Sequence, residues 1–329
     1  MGVTRRVRDS ARSHVIGPRT VTARSNHYDI DIGGGTPLRL PAMSHNDLIN
    51  AAPVPGQASL TVASAQFVSS QDVEANIVRI GILVRDAADA GASLVTLPES
   101  SVYEWSAGPE AIWKVARLQS KMFAEAMSEL AQRYSIHLIY GSYEMGDAEQ
   151  RPYNRLTALS PSGVVLARYD KIHLYDAFSY RESDYIAPGL IHGDFSELAT
   201  FDLHGWRVGL LNCYDLRFPE LTLGLIERGV DVIAMSSAWA QGPGKAFQLA
   251  TLTAARAIET TSYLLLSNQA GPASTGHSTV LDPAGATLAT VDAVDGLAIA
   301  RLEQSVLQRV RKAHPVARNQ RYRLTGVER

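Results

Sequence analysis

The chain has 329 residues, 46% of them hydrophobic, enough for one large core or two modest domains. Its formal net charge of −2 gives no reason to propose nucleic acid or an anionic membrane as a partner, and no apolar run approaches the roughly 18 residues of a spanning helix. The single cysteine, Cys213, excludes an intrachain disulfide and suits a reducing, cytoplasmic setting; no Cys/His clusters show metal-ligand spacing, so neither metal nor cofactor is expected.

Residues 1–59 read as a flexible Arg/Ser-rich extension. Arg5, Arg6, Arg8, Arg12, Arg19 and Arg24 are scattered among Ser, Thr and Gly, and Pro53-Val-Pro55-Gly56 marks its end. No apolar stretch follows the Arg pair, so an export signal is unsupported, and Met43 offers an alternative start. Residues 60–318 show no composition break and read as one domain, with 319–329 as a tail. Leu60–Phe67 is rich in β-formers. Val73, Ile77, Ile80, Val84 and Ala87 then recur at helical spacing, with Ser70 as N-cap and Gly91 past the end. Strand Leu94–Leu97 completes a βαβ unit, and one helix is expected over Ala111–Tyr134. Strands follow at His137–Glu144, Asn154–Leu159 and Val164–Tyr169. Asp176–Ser196 has no period and reads as a loop. Strands Leu198–Asp202 and Arg207–Leu211, helix Pro219–Arg228, strand Val230–Met235, helix Ala246–Thr260 and strand Tyr263–Ser267 come next. Three further strands, near 278–281, 287–291 and 297–301, and an amphipathic helix within Leu302–Arg318 end the domain, with no repeat of fixed period. Strands interleaved with helices imply a layered α/β protein.

Three strand ends carry groups that a packed core does not explain. Leu94-Val-Thr-Leu97-Pro98-Glu99 ends in a carboxylate, Val164–Tyr169 runs into Asp170-Lys171, and Val208-Gly-Leu-Leu-Asn212-Cys213 delivers a thiol to a sharp turn before a helix opened by Pro219. Taken singly, a lone cysteine is ordinarily a small buried hydrophobe, and Glu99 and Lys171 are ordinary strand-end charges. Together they supply a base, a cation and a nucleophile from loops after strands, where open α/β sheets place ligand sites.

With these residues in order the chain resembles the nitrilase superfamily of carbon–nitrogen hydrolases. Leu-Pro-Glu99, Tyr-Asp-Lys171-Ile-His-Leu and Asn-Cys213-Tyr-Asp-Leu-Arg-Phe-Pro-Glu match its Glu-Lys-Cys triad. Ile-Tyr-Gly141-Ser-Tyr-Glu144 with Tyr153-Asn154, and Gly276-His277-Ser278 through Gly285, match two further segments. The resemblance covers about Leu60 to Arg318 and implies an α/β fold, a four-layer α-β-β-α sandwich that pairs into an eight-layered dimer. It implies Cys213 as nucleophile, Glu99 as base and Lys171 as the cation that lowers the thiol pKa and, with the backbone N–H of Tyr214, holds an oxyanion. It implies Glu144 as a second carboxylate beside Lys171. Tyr214-Asp215 after the cysteine resembles the amidase-like branch with omega-amidases and deaminated-glutathione amidases, so the expected partner is a small-molecule amide.

Tyr175, Arg181 and Arg217 are candidate substrate-binding residues, with Lys245 also near a rim loop; for Arg217 the plainer reading is an Arg–carboxylate pair that fixes the turn. His173 and His277 read as structural. Leu249 stands where related amidases often carry Trp, which implies a reshaped acyl pocket. Nitrile or N-carbamoyl hydrolysis, acyl transfer to an acceptor other than water, and a catalytically idle interaction scaffold remain alternatives at this point. A homodimer or larger homo-oligomer is expected from the resemblance.

Overall fold

A computed structural model of the chain describes residues 20–24, 27–31, 36, 38–41, 58–146, 151–292 and 294–322. The Arg-rich stretch before residue 20, Met43, the Pro53–Gly56 boundary and the last seven residues lie outside the described residues. The chain divides into two units, Met1–Ala52 and Pro53–Arg329. In the first, β1 (Thr20–Arg24), β2 (His27–Asp31) and β3 (Leu38–Pro41) form an antiparallel sheet, with Thr20 opposite Asp31 and His27 opposite Pro41. A sheet thus stands inside the stretch read as flexible. Strands of four or five residues offer too few positions for an alternation to register.

The second unit holds two six-stranded sheets. The first takes β4 (Ser59–Gln66), β5 (Leu94–Thr96), β6 (His137–Met145), β7 (Pro152–Leu159) and β8 (Val165–Asp170). A separate hairpin follows, β9 (Asp176–Ala177) and β10 (Tyr180–Arg181), within the segment expected to be a loop. The second sheet takes β11 (Thr200–Leu203), β12 (Trp206–Asn212), β13 (Val232–Ser237), β14 (Tyr263–Asn268), β15 (Thr279–Leu281) and β16 (Thr287–Thr290). Finally β17 (Gly296–Glu303) returns to the first sheet beside β4. The strand orders are β17-β4-β5-β6-β7-β8 and β11-β12-β13-β14-β15-β16. Both sheets share one plan: three parallel strands in the middle (β4, β5, β6 and β12, β13, β14) with antiparallel strands on either flank. The sequence carries no matching repeat; the repetition is one of topology alone.

Helices α1 (Val73–Asp89), α2 (Pro109–Leu118) and α3 (Ser120–Tyr134) cover the first sheet, and α4 (Pro219–Glu227) with α5 (Lys245–Thr260) cover the second. Two short helices, α6 (Gln304–Ala313) and α7 (Val316–Asn319), end the described chain. Since β4 and β5 face β13, β14 and β15, the layers run α-β-β-α. In α1 the buried Val73, Asn76, Ile80, Leu83, Val84 and Ala87 form the inward stripe. Its cap is Asp72, which accepts from the N–H of Ala75 at 3.1 Å; Ser70, the expected cap, bonds Asn76 instead. The single helix expected over Ala111–Tyr134 is two, broken at Gln119. Among the described residues no helix is long and apolar enough to cross a membrane.

The seam between the sheets is partly polar. Ser267 Oγ donates to the carbonyl of Ala65 at 2.9 Å and to that of Thr96, and Ser236 Oγ donates to Leu97 O at 2.7 Å. These serines are fully buried, and each hydroxyl ties a strand of one sheet to a strand end of the other. Carboxyl ends of β5, β8 and β12 lie on one side of the sandwich, and two glycines set the loops that leave them. A Cβ on Gly141 would stand 2.8 Å from Glu99 Cα and 2.8 Å from Ser100 N, and one on Gly189 would stand 2.3 Å from Asp170 O. Bare backbone at these points lets the Glu99 and Lys171 loops lie flat. Gly141→Ala is therefore expected to destabilise the protein by about 1–3 kcal/mol, the usual range for overpacking, in denaturant unfolding. An unchanged midpoint would show that the Glu99 loop is free to shift.

Candidate active site

Apolar strands deliver three polar groups to one point. Glu99 follows β5, Lys171 follows β8, and Cys213 opens a 3-10 turn (Cys213–Arg217) after β12. Central strands β5 and β13 are buried along their whole length, so a polar side chain at their ends meets protein rather than water. Two backbone kinks aim the groups. Cys213 has φ of 49° and Ser100, next to Glu99, has φ of 57°, both in the left-handed region that costs a non-glycine residue on the order of 1–2 kcal/mol.

Lys171 is 2% exposed and sits between two carboxylates, with Nζ donating to Glu99 Oε1 and Glu182 Oε2, each at 2.8 Å. Asn154 Nδ2 donates to both acids as well, at 2.7 Å to Glu99 Oε1 and 2.9 Å to Glu182 Oε1. The Asn154 carbonyl oxygen accepts from Asn212 Nδ2 at 3.0 Å, which links the acids to the residue before the nucleophile. The other oxygen of Glu99 accepts from the Ala238 N–H at 2.8 Å, and Tyr175 N–H donates to Glu182 Oε2 at 2.7 Å. Cys213 is buried, and Ser237 Oγ donates to its sulfur at 3.4 Å.

Burial alone would raise the Glu99 carboxyl, but the Lys171 charge and then its hydrogen bond outweigh this, with help from Cys213 and Asn154, so it lies below its ordinary value. Lys171 stays charged because Glu182 and Glu99 reverse a desolvation that would otherwise discharge it, and it is held well above the ordinary lysine value. Burial pushes the Cys213 thiol up, the Glu99 carboxylate adds to this, and Lys171 opposes without prevailing. Lys171 acts on the thiol in the expected direction, but burial outweighs it and the net shift is upward. Burial is the largest cause, and Glu99 adds to it more than Lys171 takes away. The resting arrangement is a neutral thiol beside an ionised base.

The second acid at Lys171 is Glu182, not Glu144. Alternation along β6 puts Tyr143 on the face of the site and Glu144 on the opposite one. There Glu144 accepts from Arg155 Nη1 at 3.0 Å and from Ser142 Oγ at 2.7 Å. Glu182 escaped the sequence reading because it follows a hairpin of two-residue strands. Asn154, which bonds both acids and lines the cleft, belongs to the site.

The triad opens into a cleft walled by Trp105, Tyr143, Tyr180 and Trp239. Tyr175 and Arg217 line it; Arg181 does not, and pairs instead with Asp184 at 3.3 Å on the exposed hairpin. Among the described residues Arg217 has no carboxylate partner, against the plainer expectation. Its guanidinium lies 4.7 Å from the Trp239 ring centroid and donates to Gln248 Oε1 at 2.7 Å. Lys245, buried at the rim, donates to the Tyr175 hydroxyl at 3.1 Å and faces the Phe178 ring at 4.5 Å. Tyr214 is the second residue of the 3-10 turn, where the first N–H groups lack intrahelical partners.

A thiol pushed up by burial makes a clear expectation. The ultraviolet thiolate absorbance of the protein, taken against Cys213→Ala, should show no step near the ordinary thiol value of about 8.5. Because Cys213 is the only cysteine, a step there would place a thiolate in the resting site and reverse the assignment of proton and charge.

Comparison with known proteins agrees with the geometry. The Carbon-nitrogen hydrolase family matches residues 61–312. The chain is 33% identical over 264 residues to a deaminated glutathione amidase from Escherichia coli O157:H7, covering 80% of this chain and 98% of that one. It is 32% identical over 282 residues to the omega-amidase NIT2 of Homo sapiens, covering 82% and 98%. Among solved structures, the C. elegans NitFhit protein superposes with a TM-score of 0.74 at 28% identity, over 80% of this chain and 66% of that one. The sandwich, the strand-end thiol and these likenesses converge: the chain belongs to the carbon-nitrogen hydrolase family, within the nitrilase superfamily, whose members act on C–N bonds other than peptide bonds.

Proposed function

We propose that the protein is a thiol amidase that hydrolyses a small aliphatic carboxamide to a carboxylic acid and ammonia. The observation that carries this is the Glu99–Lys171–Cys213 cluster, buried together and open to one small cleft. The amidase names of its relatives support the same reaction class.

The chemistry follows from the charges. As the Cys213 sulfur bonds to the amide carbon, its proton passes to Glu99, the ionised base held below its ordinary pKa. The carbonyl oxygen takes the negative charge, with the Lys171 ammonium and the Tyr214 N–H as its donors. One such donor is typically worth about 3–4 kcal/mol in the transition state. Glu99 returns the proton to the nitrogen, the C–N bond breaks and ammonia leaves. A thioester on Cys213 remains. Water attacks it with Glu99 again as base, the C–S bond breaks, and the acid leaves with the thiol restored. Glu182 keeps Lys171 charged throughout by supplying a second counter-charge. As pH falls, activity is lost only when Glu99 takes up a proton, so the acid limb belongs below the ordinary glutamate value of about 4.3.

The finer substrate reading rests on the cleft mouth. Arg217 and Lys245 both reach it, and neither pairs with a carboxylate among the described residues. Two cations without acids suit an amide that carries a carboxylate at its far end. Tyr175, which binds Lys245, helps to set that end of the pocket. A free thiol as nucleophile fits a reducing compartment, and the cytoplasm is the location we propose on that ground. Assembly into a homodimer or larger is part of the same reading and rests on the resemblance to the superfamily.

Ammonia release from a panel of amides, nitriles and N-carbamoyl compounds tests the reaction. Succinamate, glutaramate and their 2-oxo forms should be hydrolysed, and Cys213→Ala should abolish turnover. Lys245→Met should lower kcat/KM for the acidic amides by about 100-fold while changing neutral amides by less than about threefold, as loss of one desolvated ionic contact predicts. Activity on nitriles alone, or equal losses on acidic and neutral amides, would overturn the reaction and the pocket assignment respectively. In light scattering at micromolar concentration the protein should run as a dimer or larger; a monomer would remove the assembly.

A further inference from the structure

One buried carboxylate near the site takes no part in the chemistry described. Asp215 lies two residues beyond Cys213 and is fully buried. Its Oδ1 accepts from the backbone N–H of His173 and bonds the His173 ring Nδ1, each at 2.9 Å. Its Oδ2 accepts from the Tyr169 hydroxyl at 2.8 Å. These two partners flank Lys171, one two residues before it and the other two residues after. None of the three bonds goes to Asp215's own turn. A carboxylate needed only to close that turn would bond locally; this one spans from the second sheet to the loop leaving the first.

The surroundings stiffen the same link. The His173 ring stacks on Phe218 with centroids 3.5 Å apart and planes 4° apart, and Phe218 N–H donates to the Asp215 carbonyl at 3.0 Å. From the opposite side Arg256 donates to Leu216 O through Nε at 3.0 Å and Nη2 at 2.7 Å. Cys213 meanwhile sits in a left-handed backbone conformation that only surrounding structure can maintain.

We propose that Asp215 is a positioning residue that sets the distance between the Cys213 sulfur and the Lys171 ammonium, acting through Tyr169 and His173. The proposal rests on the amidase reading for its effect on turnover, and on the geometry alone for its effect on the thiol. Misplacing reacting groups by about 1 Å costs on the order of 100-fold in rate, while remote binding contacts are untouched. Loss of the link should therefore fall on kcat and spare KM.

The test uses Asp215→Asn in the full chain, with Tyr169→Phe beside it as the milder variant that removes one of the three bonds and keeps the ring. Folded protein is confirmed by circular dichroism and thermal unfolding. Asp215→Asn should lower kcat by about 100-fold with KM within about threefold, and alkylation of Cys213 by iodoacetamide should slow by about tenfold as Lys171 drifts from the sulfur. Tyr169→Phe should show a smaller loss of the same form, and it decides the matter if Asp215→Asn does not fold. Equal alkylation rates, or a loss that falls on KM, would overturn the proposal. A wild-type protein that hydrolyses no amide would remove the amidase reading but not this one: alkylation alone would then decide, a slower reaction in the variant sustaining it and an equal rate ending it.

Discussion

A buried ammonium held between two acids sets the terms for the whole site. Lys171 is almost wholly removed from water, and a lone charge there would be discharged. Glu99 and Glu182 prevent that, and each is itself fixed by further donors, Asn154 to both, Ala238 to the first and Tyr175 to the second. Removing one partner of such a buried pair typically costs about 3–5 kcal/mol, because the remaining charge is stranded. The cluster is thus indivisible in a physical sense. Its two carboxylates hold the lysine charged, and the lysine holds at least Glu99 ionised. The Cys213 thiol is pushed up by burial first and by the Glu99 carboxylate second, which favours its protonated form. On the amidase reading proposed above, Glu99, Lys171 and Cys213 then hold the protonation states that reading needs, without a thiolate at rest.

The triad was legible because its members break the pattern of the core. A carboxylate, an ammonium and a thiol placed at the ends of apolar strands are hard to reconcile with packing, and the order of strands puts those ends on one side. The sandwich itself was legible only through resemblance. Nothing in the alternation of strands and helices says that β17 returns to the first sheet, a contact between residues more than two hundred positions apart. Glu182 was hidden for a different reason. It follows strands of two residues, too short for any period, and it reaches Lys171 through the fold of a hairpin. Glu144 misled because a strand end invites a functional reading, whereas the two-residue repeat of β6 turns it away from the cleft toward Arg155. Had that alternation been applied to Tyr143 and Asn154 together, Asn154 would have emerged as the residue facing the site.

On the amidase reading, the groups assigned to specificity and to chemistry come from different elements of the cleft. The reacting groups lie at its floor, in loops pinned by close backbone approach at Gly141 and Gly189. Arg217, Lys245 and Tyr175 stand at its mouth, tied to aromatic rings and neutral oxygens rather than to acids. A cation stacked on Trp239 is both oriented and left with donors to spare, which is what recognition of a carboxylate requires.

The polar seam between the sheets has a bearing on how the protein comes into being. Serine hydroxyls from β13 and β14 find their carbonyl acceptors only on strands of the other sheet, and the triad is likewise divided, Glu99 and Lys171 from one and Cys213 from the other. No partly formed chain with a single sheet in place can carry a complete set of reacting groups. Docking of the two halves is at once the step that satisfies the buried hydroxyls and the step that brings the nucleophile under its base. On the amidase reading, a complete site therefore requires both sheets in contact.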